Sequence, residues 1–263
     1  MNASESTLGR TLVRPLGIIL WLLVSYSGVS LGQTLTACGH PFYPPVSWIQ
    51  KGKLQGLAPA ITELLFNELG YKINLKADSN WKRCLRQIEQ GKTDIVVAAY
   101  RITRRERYLH YSSQPVIADP VTLFINRDKP FSFNRLDDLH GKTAGLLLGD
   151  SFGDAFDGYL LDNNPIEYVS SGQQNFAKLA LGRIDFMPLG QLSGELQSRK
   201  LGFYPQIIPL NRVISTETYY LAVGRNSDLV KHLPYINRRL QEMRQDGTLE
   251  RLTEQQSQRY LTP

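Results

Sequence analysis

Residues 94–107 read Asp94-Ile95-Val96-Val97-Ala98-Ala99-Tyr100 and then Arg101-Ile102-Thr103-Arg104-Arg105-Glu106-Arg107. The first half is an unbroken apolar run, the composition of a strand buried on both faces, as in a sheet covered by helices. The second half crowds four arginines into seven residues at the strand's carboxyl end. Ligands of open α/β sheets sit at that end. Like charges so close repel one another unless a counter-charge arrives, so the loop predicts a site for an anionic group.

Working outward, Asn80 can cap a helix whose buried face is Trp81, Cys84, Leu85 and Ile88, closed by Gly91. Tyr71, Ile73 and Leu75 alternate as a strand does, and Leu57, Ala60, Ile61, Leu64, Leu65 and Leu69 follow the one-face spacing of a helix that Gly70 ends. Residues 34–38 make a first strand, followed by Gly39-His40-Pro41-Phe42-Tyr43-Pro44-Pro45, a stiff aromatic loop suited to a ligand wall. This alternation predicts a parallel sheet with helices on its faces. After a strand near Val116–Ile125 the pattern restarts: a turn at Leu136–Leu139, a strand at Thr143–Leu148, the turn Gly149-Asp150-Ser151-Phe152-Gly153 into a helix, a strand at Ile166–Val169, a helix across Phe176, a strand at Ile184–Met187 and a helix before Gly202. A strand at Thr216–Val223 leads back, and a long helix runs from Leu229 to Met243, capped by Ser227. The expected fold class is α/β, two interleaved lobes joined by a two-strand hinge: residues 33–125 in lobe 1, 126–213 in lobe 2, and 214–263 returning to lobe 1, with the crossings near Ile125 and Val213.

The first 32 residues have the order of parts of a signal peptide: Arg10 and Arg14, then the apolar run Leu16–Val24, then small and polar residues up to a cleavage point after Gly32, with Ser30 at −3. The run is shorter than the 20 or so residues of a membrane span. Leu35-Thr36-Ala37-Cys38 is a rival lipid-attachment site, set against by its distance from the run and by its overlap with the first strand. The expected location is the periplasm. Without residues 1–32 the chain carries 28 basic and 23 acidic residues, scattered except in the arginine loop, so no nucleic-acid partner is expected. Cys38 and Cys84 can pair or stay free, since sequence alone does not set their separation. Two cysteines and four histidines show no zinc spacing, and phosphate-loop, dinucleotide and nucleophile motifs are absent, so no cofactor is expected.

Taken together, Tyr43-Pro44-Pro45, Gly56, Trp81, Gly91 with Asp94, the arginine loop, Tyr111-Ser112 with Pro115, Asp138–Lys142 and Gly182-Arg183-Ile184-Asp185 resemble, over residues 34–260, the bacterial extracellular solute-binding proteins of family 3, the polar amino-acid receptors of ABC importers. The resemblance implies that the arginine six residues before the aromatic-serine pair, Arg105, grips a ligand carboxylate. Arg107 is the competitor if the loop shifts by one residue. A guanidinium fork suits a carboxylate because it meets both oxygens and keeps its charge. Tyr43 matches the family's stacking position, and His40 falls where relatives often carry an aspartate. Tyr100 and Arg101 stand where hydroxyl residues are usual. Trp81 is balanced between core and pocket, with its spacing favouring core. Gly149 and Ser151 open a helix whose free N–H groups can hold an anion. Asp185 suits a structural role, holding backbone N–H groups.

Five residues after Asp185, where the family commonly places an acid for the ligand's ammonium, stands Gly190. Gln191, Asp150 or Glu217 are possible substitutes. The expected function is capture of a small polar, carboxylate-bearing ligand by a monomer that presents it to an ABC permease or a membrane sensor. The alternatives are a purely sensory receptor and a periplasmic dehydratase-like enzyme. For the last, His40 with a carboxylate such as Glu217 is the one nominated acid–base pair, and an enzyme is not the expectation.

Overall fold

The computed structural model describes Met1 and residues 33–262 apart from Ser79 and Glu217. The signal segment and its cleavage point therefore lie outside the described residues. The chain opens with β1 (Thr34–Cys38), a small antiparallel set β2 (Phe42–Tyr43), β3 (Ser47–Gln50) and β4 (Lys53–Gln55), then α1 (Leu57–Glu68), β5 (Lys72–Leu75), α2 (Trp81–Glu89), β6 (Ile95–Tyr100), the single turn α3 (Thr103–Glu106), β7 (Leu109–Tyr111) and β8 (Ile117–Ala118). The second half runs β9 (Val121–Asn126), β10 (Ala144–Leu147), α4 (Asp154–Asn163), β11 (Ile166–Val169), α5 (Gly172–Leu181), β12 (Phe186–Gly190), α6 (Gln191–Lys200) and β13 (Ile207–Ser215). It returns through β14 (Thr218–Gly224), α7 (Leu233–Gln245) and α8 (Thr248–Leu261).

Two sheets carry the two lobes. The first has the order β5-β1-β6-β14-β7, with β8 beside β14, and the second the order β11-β10-β12-β9-β13. In each, one strand is flanked by two parallel neighbours, β1 by β5 and β6, and β10 by β11 and β12, while the returning strand pairs antiparallel. Residues Ile95 to Tyr100 are all buried, as their composition requires. Asn80 does cap α2, accepting from the Arg83 N–H, and Trp81, Cys84, Leu85 and Ile88 form its buried face.

The same device closes both sheets at their starts. Asp94 Oδ2 accepts from the Thr36 backbone N–H at 2.7 Å, and Asp185 Oδ2 accepts from the Thr143 N–H at 2.7 Å. Each carboxylate follows a helix-ending glycine, Gly91 or Gly182, both at positive φ, so the turn delivers it to the neighbouring strand. That is the structural role expected of Asp185.

Some expectations move. β9 belongs to the second sheet, paired with β12 and β13, so sheet membership changes at Asp119–Pro120 rather than after Ile125. β13 runs to Ser215 in the second sheet and β14 starts at Thr218 in the first, so the boundary expected at Val213 falls within β13. An apolar strand buried on both faces carries no mark of which sheet it joins. The helix expected from Leu229 begins as a 3-10 turn, Asp228–His232, and becomes α-helical at Leu233 with Pro234 in its first turn. The β2–β4 set, β13 and α8 were not read from the sequence. Cys38 and Cys84 are joined by a disulfide, with Cα atoms 5.8 Å apart.

Candidate functional site

The carboxyl ends of β1 and β6 face those of β10 and β12 across a cleft, and the arginine loop lies on its first-lobe side. Arg105 is only 2% exposed, because α3 turns it inward beneath Trp81, whose ring centroid lies 5.5 Å from the guanidinium. Its Nη1 donates to the Tyr100 carbonyl at 3.1 Å and its Nη2 to the Gly149 carbonyl, on the other lobe, at 2.9 Å. Nε is buried without a partner. Among the described residues no carboxylate comes within ion-pair distance of this group. A buried charge satisfied only by carbonyl dipoles is expensive, and an incoming anion relieves it.

The other arginines do not join the site. Arg101, expected as a contact, is exposed and pairs with Glu106 at 2.6 Å. Arg107, the competitor for the anchor role, is exposed and lines a separate surface recess with Glu89 and Arg225. Arg104 is exposed as well. A single helical turn can aim one of four neighbouring side chains inward, and here it aims Arg105.

His40 bridges the cleft. Its Nδ1 accepts from the Phe42 backbone N–H at 3.1 Å, which directs a proton on Nε2 to Asp150 Oδ1, 3.0 Å away on the other lobe. Its ring also meets Trp81 and Tyr43, each at a centroid distance of 5.4 Å. Trp81 thus serves both readings: it is buried in the cluster around the disulfide and it walls the cleft. Of the three substitutes for the missing acid, Asp150 is the one the structure brings to the cleft. Gln191 is exposed and donates to Glu195, and Glu217 lies outside the described residues.

Three tyrosines fill the floor. Tyr100 and Tyr219 stack at 4.1 Å, and Tyr43 leans on Tyr219 at 5.0 Å. The Tyr43 hydroxyl accepts from the Gly190 N–H at 2.7 Å and lies 3.5 Å from the Tyr100 hydroxyl. Burial raises both phenols far above their ordinary range, so they stay neutral. Tyr219 escaped the sequence reading, since its strand was recognised without a sign of which face its side chains take.

Gly190 now has a physical reason. A Cβ there would fall 2.1 Å from Asp119 Oδ2 and 2.5 Å from the Tyr43 hydroxyl. Asp119, at the strand crossing, reaches into that volume and accepts from the Leu192 and Ser193 N–H groups at 2.9 and 3.2 Å, capping α6. Burial raises its carboxyl to about 7 against these two stabilising N–H bonds. Nothing in the sequence marked Asp119, which acts across 73 residues of chain.

The Gly149 turn differs from its expectation. Gly149 has φ +97 and approaches the start of α2 so closely that a Cβ would lie 3.1 Å from the Lys82 nitrogen. Ser151 is buried and donates its hydroxyl proton to Asp157, which also takes the Phe152 N–H at 2.9 Å. The serine therefore offers the cleft lone pairs rather than a hydroxyl donor for an anion. A further tie joins the lobes: Thr103, by N–H and hydroxyl, donates to Asp154 Oδ2 at 3.0 and 2.7 Å. The space left beside Arg105 is about 20 Å³, room for a water-sized group. No group of three or more His, Cys, Asp or Glu residues able to hold a metal occurs among the described residues, nor is any helix there long and apolar enough to cross a membrane.

Residues 35–257 match the family described as bacterial extracellular solute-binding proteins, family 3. The chain belongs to that family. Among its relatives is the L-cystine-binding protein TcyJ of Escherichia coli K12, 24% identical over 221 residues that cover 81% of this chain and 78% of that one. The fold is similar to that of the amino acid ABC transporter substrate-binding protein AbpA of Streptococcus pneumoniae, solved with L-arginine (TM-score 0.75, 16% identity, 88% of this chain and 97% of that one). It is also similar to a histidine kinase sensor domain (TM-score 0.72, 21% identity, 86% and 96%). The family's members are solute-binding proteins, and its two-lobed fold is the one described above.

Proposed function

We propose that this family 3 protein captures a small carboxylate of the amino-acid type in the cleft between its lobes and delivers it, in the closed form, to an ABC-type importer. The observation that carries this reading is Arg105, a buried guanidinium with no carboxylate partner among the described residues and one N–H unsatisfied. Asp150 is the acid available to a ligand amine, at the price of its bond to His40. L-cystine and L-arginine, named for two of the similar proteins, agree with a carboxylate bearing an amine. In this reading the signal segment is removed near Gly32, the protein works as a monomer outside the cytoplasmic membrane, and it binds without turnover. Closure occurs about the two strand crossings.

Native mass spectrometry of the purified protein, followed by calorimetric titration with the released molecule, tests this. The expected result is one carboxylate per chain, recovered unchanged. Recovery of an altered molecule would replace the receptor with an enzyme, and the absence of saturable binding by any amino acid or simple carboxylate would overturn the reading. A sensory role for the same cleft is the second reading, favoured by the likeness to the histidine kinase sensor domain. Crosslinking to the membrane partner separates the two.

A further inference from the structure

Beyond the Arg105 space lies a second chamber, also about 20 Å³, on the second-lobe side of the His40–Asp150 pair. Both of those residues line both spaces, so the pair stands as the partition between them. The chamber's polar equipment is unusual for an apolar pocket. Asn175 on α5 is 5% exposed, yet its Oδ1 has no hydrogen-bond partner. That oxygen is directed at Gly145, where a Cβ would lie 2.9 Å from it. Gln197 on α6, 3% exposed, uses its Nε2 to donate to Ser193 Oγ, which leaves Oε1 facing Gly172, 3.2 Å from where a Cβ would stand. Gly145 and Gly172 thus line a space bordered by two amide oxygens and the Asp150 carboxylate.

Every one of these three groups accepts hydrogen bonds. An orphaned buried amide oxygen has given up its water without a replacement bond, and here it lies beside a chamber that a ligand can reach by parting His40 from Asp150. We infer that this chamber is a specificity subsite for the terminal primary ammonium of an extended carboxylate ligand, whose carboxylate is held at Arg105. Its size suits a compact –NH3+ group and is too small for a planar guanidinium, and the flanking Asp150 favours a cation over a neutral amide. This inference rests on the reading of the Arg105 space as a carboxylate site.

The test is calorimetric titration with straight-chain carboxylates of three to six carbons, each with and without a terminal amine, plus the guanidino analogue of the best binder. Three variants accompany the wild type: Asn175→Leu, which replaces the amide by an apolar side chain of the same branching, Gln197→Met, which removes the second oxygen, and Arg105→Ala. The terminal amine is expected to improve wild-type binding about tenfold or more. Asn175→Leu is expected to abolish that gain and Gln197→Met to reduce it, both leaving the affinity for the plain carboxylates unchanged. That unchanged affinity also shows that the variants fold. A preference for the amine that survives both substitutions, no preference in the wild type, or an equal preference for the guanidino analogue would each overturn the subsite. If instead the wild type binds every carboxylate no better than Arg105→Ala does, the carboxylate reading itself fails, and the subsite with it.

Discussion

The two margins of the cleft treat charge in opposite ways. At the Arg105 margin a full guanidinium is buried and left with a free N–H. At the Gly190 margin a potential charged side chain has been replaced by a hydrogen atom, and the vacated volume is filled from elsewhere by Asp119 and the Tyr43 hydroxyl. One margin stores an unsatisfied charge. The other is saturated, since Asp119 spends both its oxygens on the start of α6 and the Tyr43 hydroxyl takes the Gly190 N–H. Under the proposed function the difference places ligand affinity at the first margin and leaves the second to set how closely the lobes approach.

The largest effect should come from breaking the first margin. Under the proposed function Arg105→Ala removes a bidentate, charge-assisted contact of about 1.5–3 kcal/mol per hydrogen bond, so affinity for the carboxylate should fall by roughly two orders of magnitude or more. Arg104→Ala, one residue away but exposed, should leave it unchanged within about twofold. Calorimetry on both variants checks the contrast, and equal losses would mean that general positive charge, not a buried fork, holds the ligand.

A smaller effect is expected at the second margin. Gly190→Ala places a methyl within 2.5 Å of two oxygens, an overpacking that costs about 1–3 kcal/mol. Affinity should drop roughly tenfold without a change in ligand ranking, and the thermal midpoint should fall. An unaltered affinity and midpoint would show that Asp119 and Tyr43 yield easily, and that the close approach is no constraint.

The smallest effect is a slope with pH. The Asp119 carboxyl is raised by burial to about 7 in the folded protein, whereas in the unfolded chain it ionises near pH 4. Its contribution to stability is therefore fully present below about pH 4 and is lost progressively as pH rises to about 7. Asp119→Asn should flatten that part of the profile of thermal midpoint against pH, whatever it does to the absolute value. A wild-type profile that the substitution leaves parallel would place the titration elsewhere.

Much of this was legible beforehand. The buried run at 95–100 and the capped helix at Trp81 follow from local pattern, and Arg105 could be selected through the family resemblance because its spacing from Tyr111-Ser112 is a property of sequence. Arg101 and Arg107 could not be separated from it by composition, since which arginine points inward depends on how the one-turn helix is set against the strand end. Asp119, Asn175 and Tyr219 were illegible for another reason. Their roles depend on which face a strand or helix presents after two distant segments meet, as with Asp119 and the start of α6. The pairing of Cys38 with Cys84 likewise required the positions of β1 and α2.

That pairing has a consequence for when the cleft exists at all. Cys38 lies two residues before His40, and Cys84 lies one helical turn after Trp81, so the disulfide rivets together the two segments whose rings meet above Arg105. In a reducing compartment the rivet is missing, and a loop of 46 residues regains unfolded-state freedom worth about 4 kcal/mol. The His40 and Trp81 rings beside the guanidinium then lose the covalent link between their segments. Oxidation is therefore expected to brace this wall of the proposed site, a state open to the chain only in a compartment where thiols stay joined.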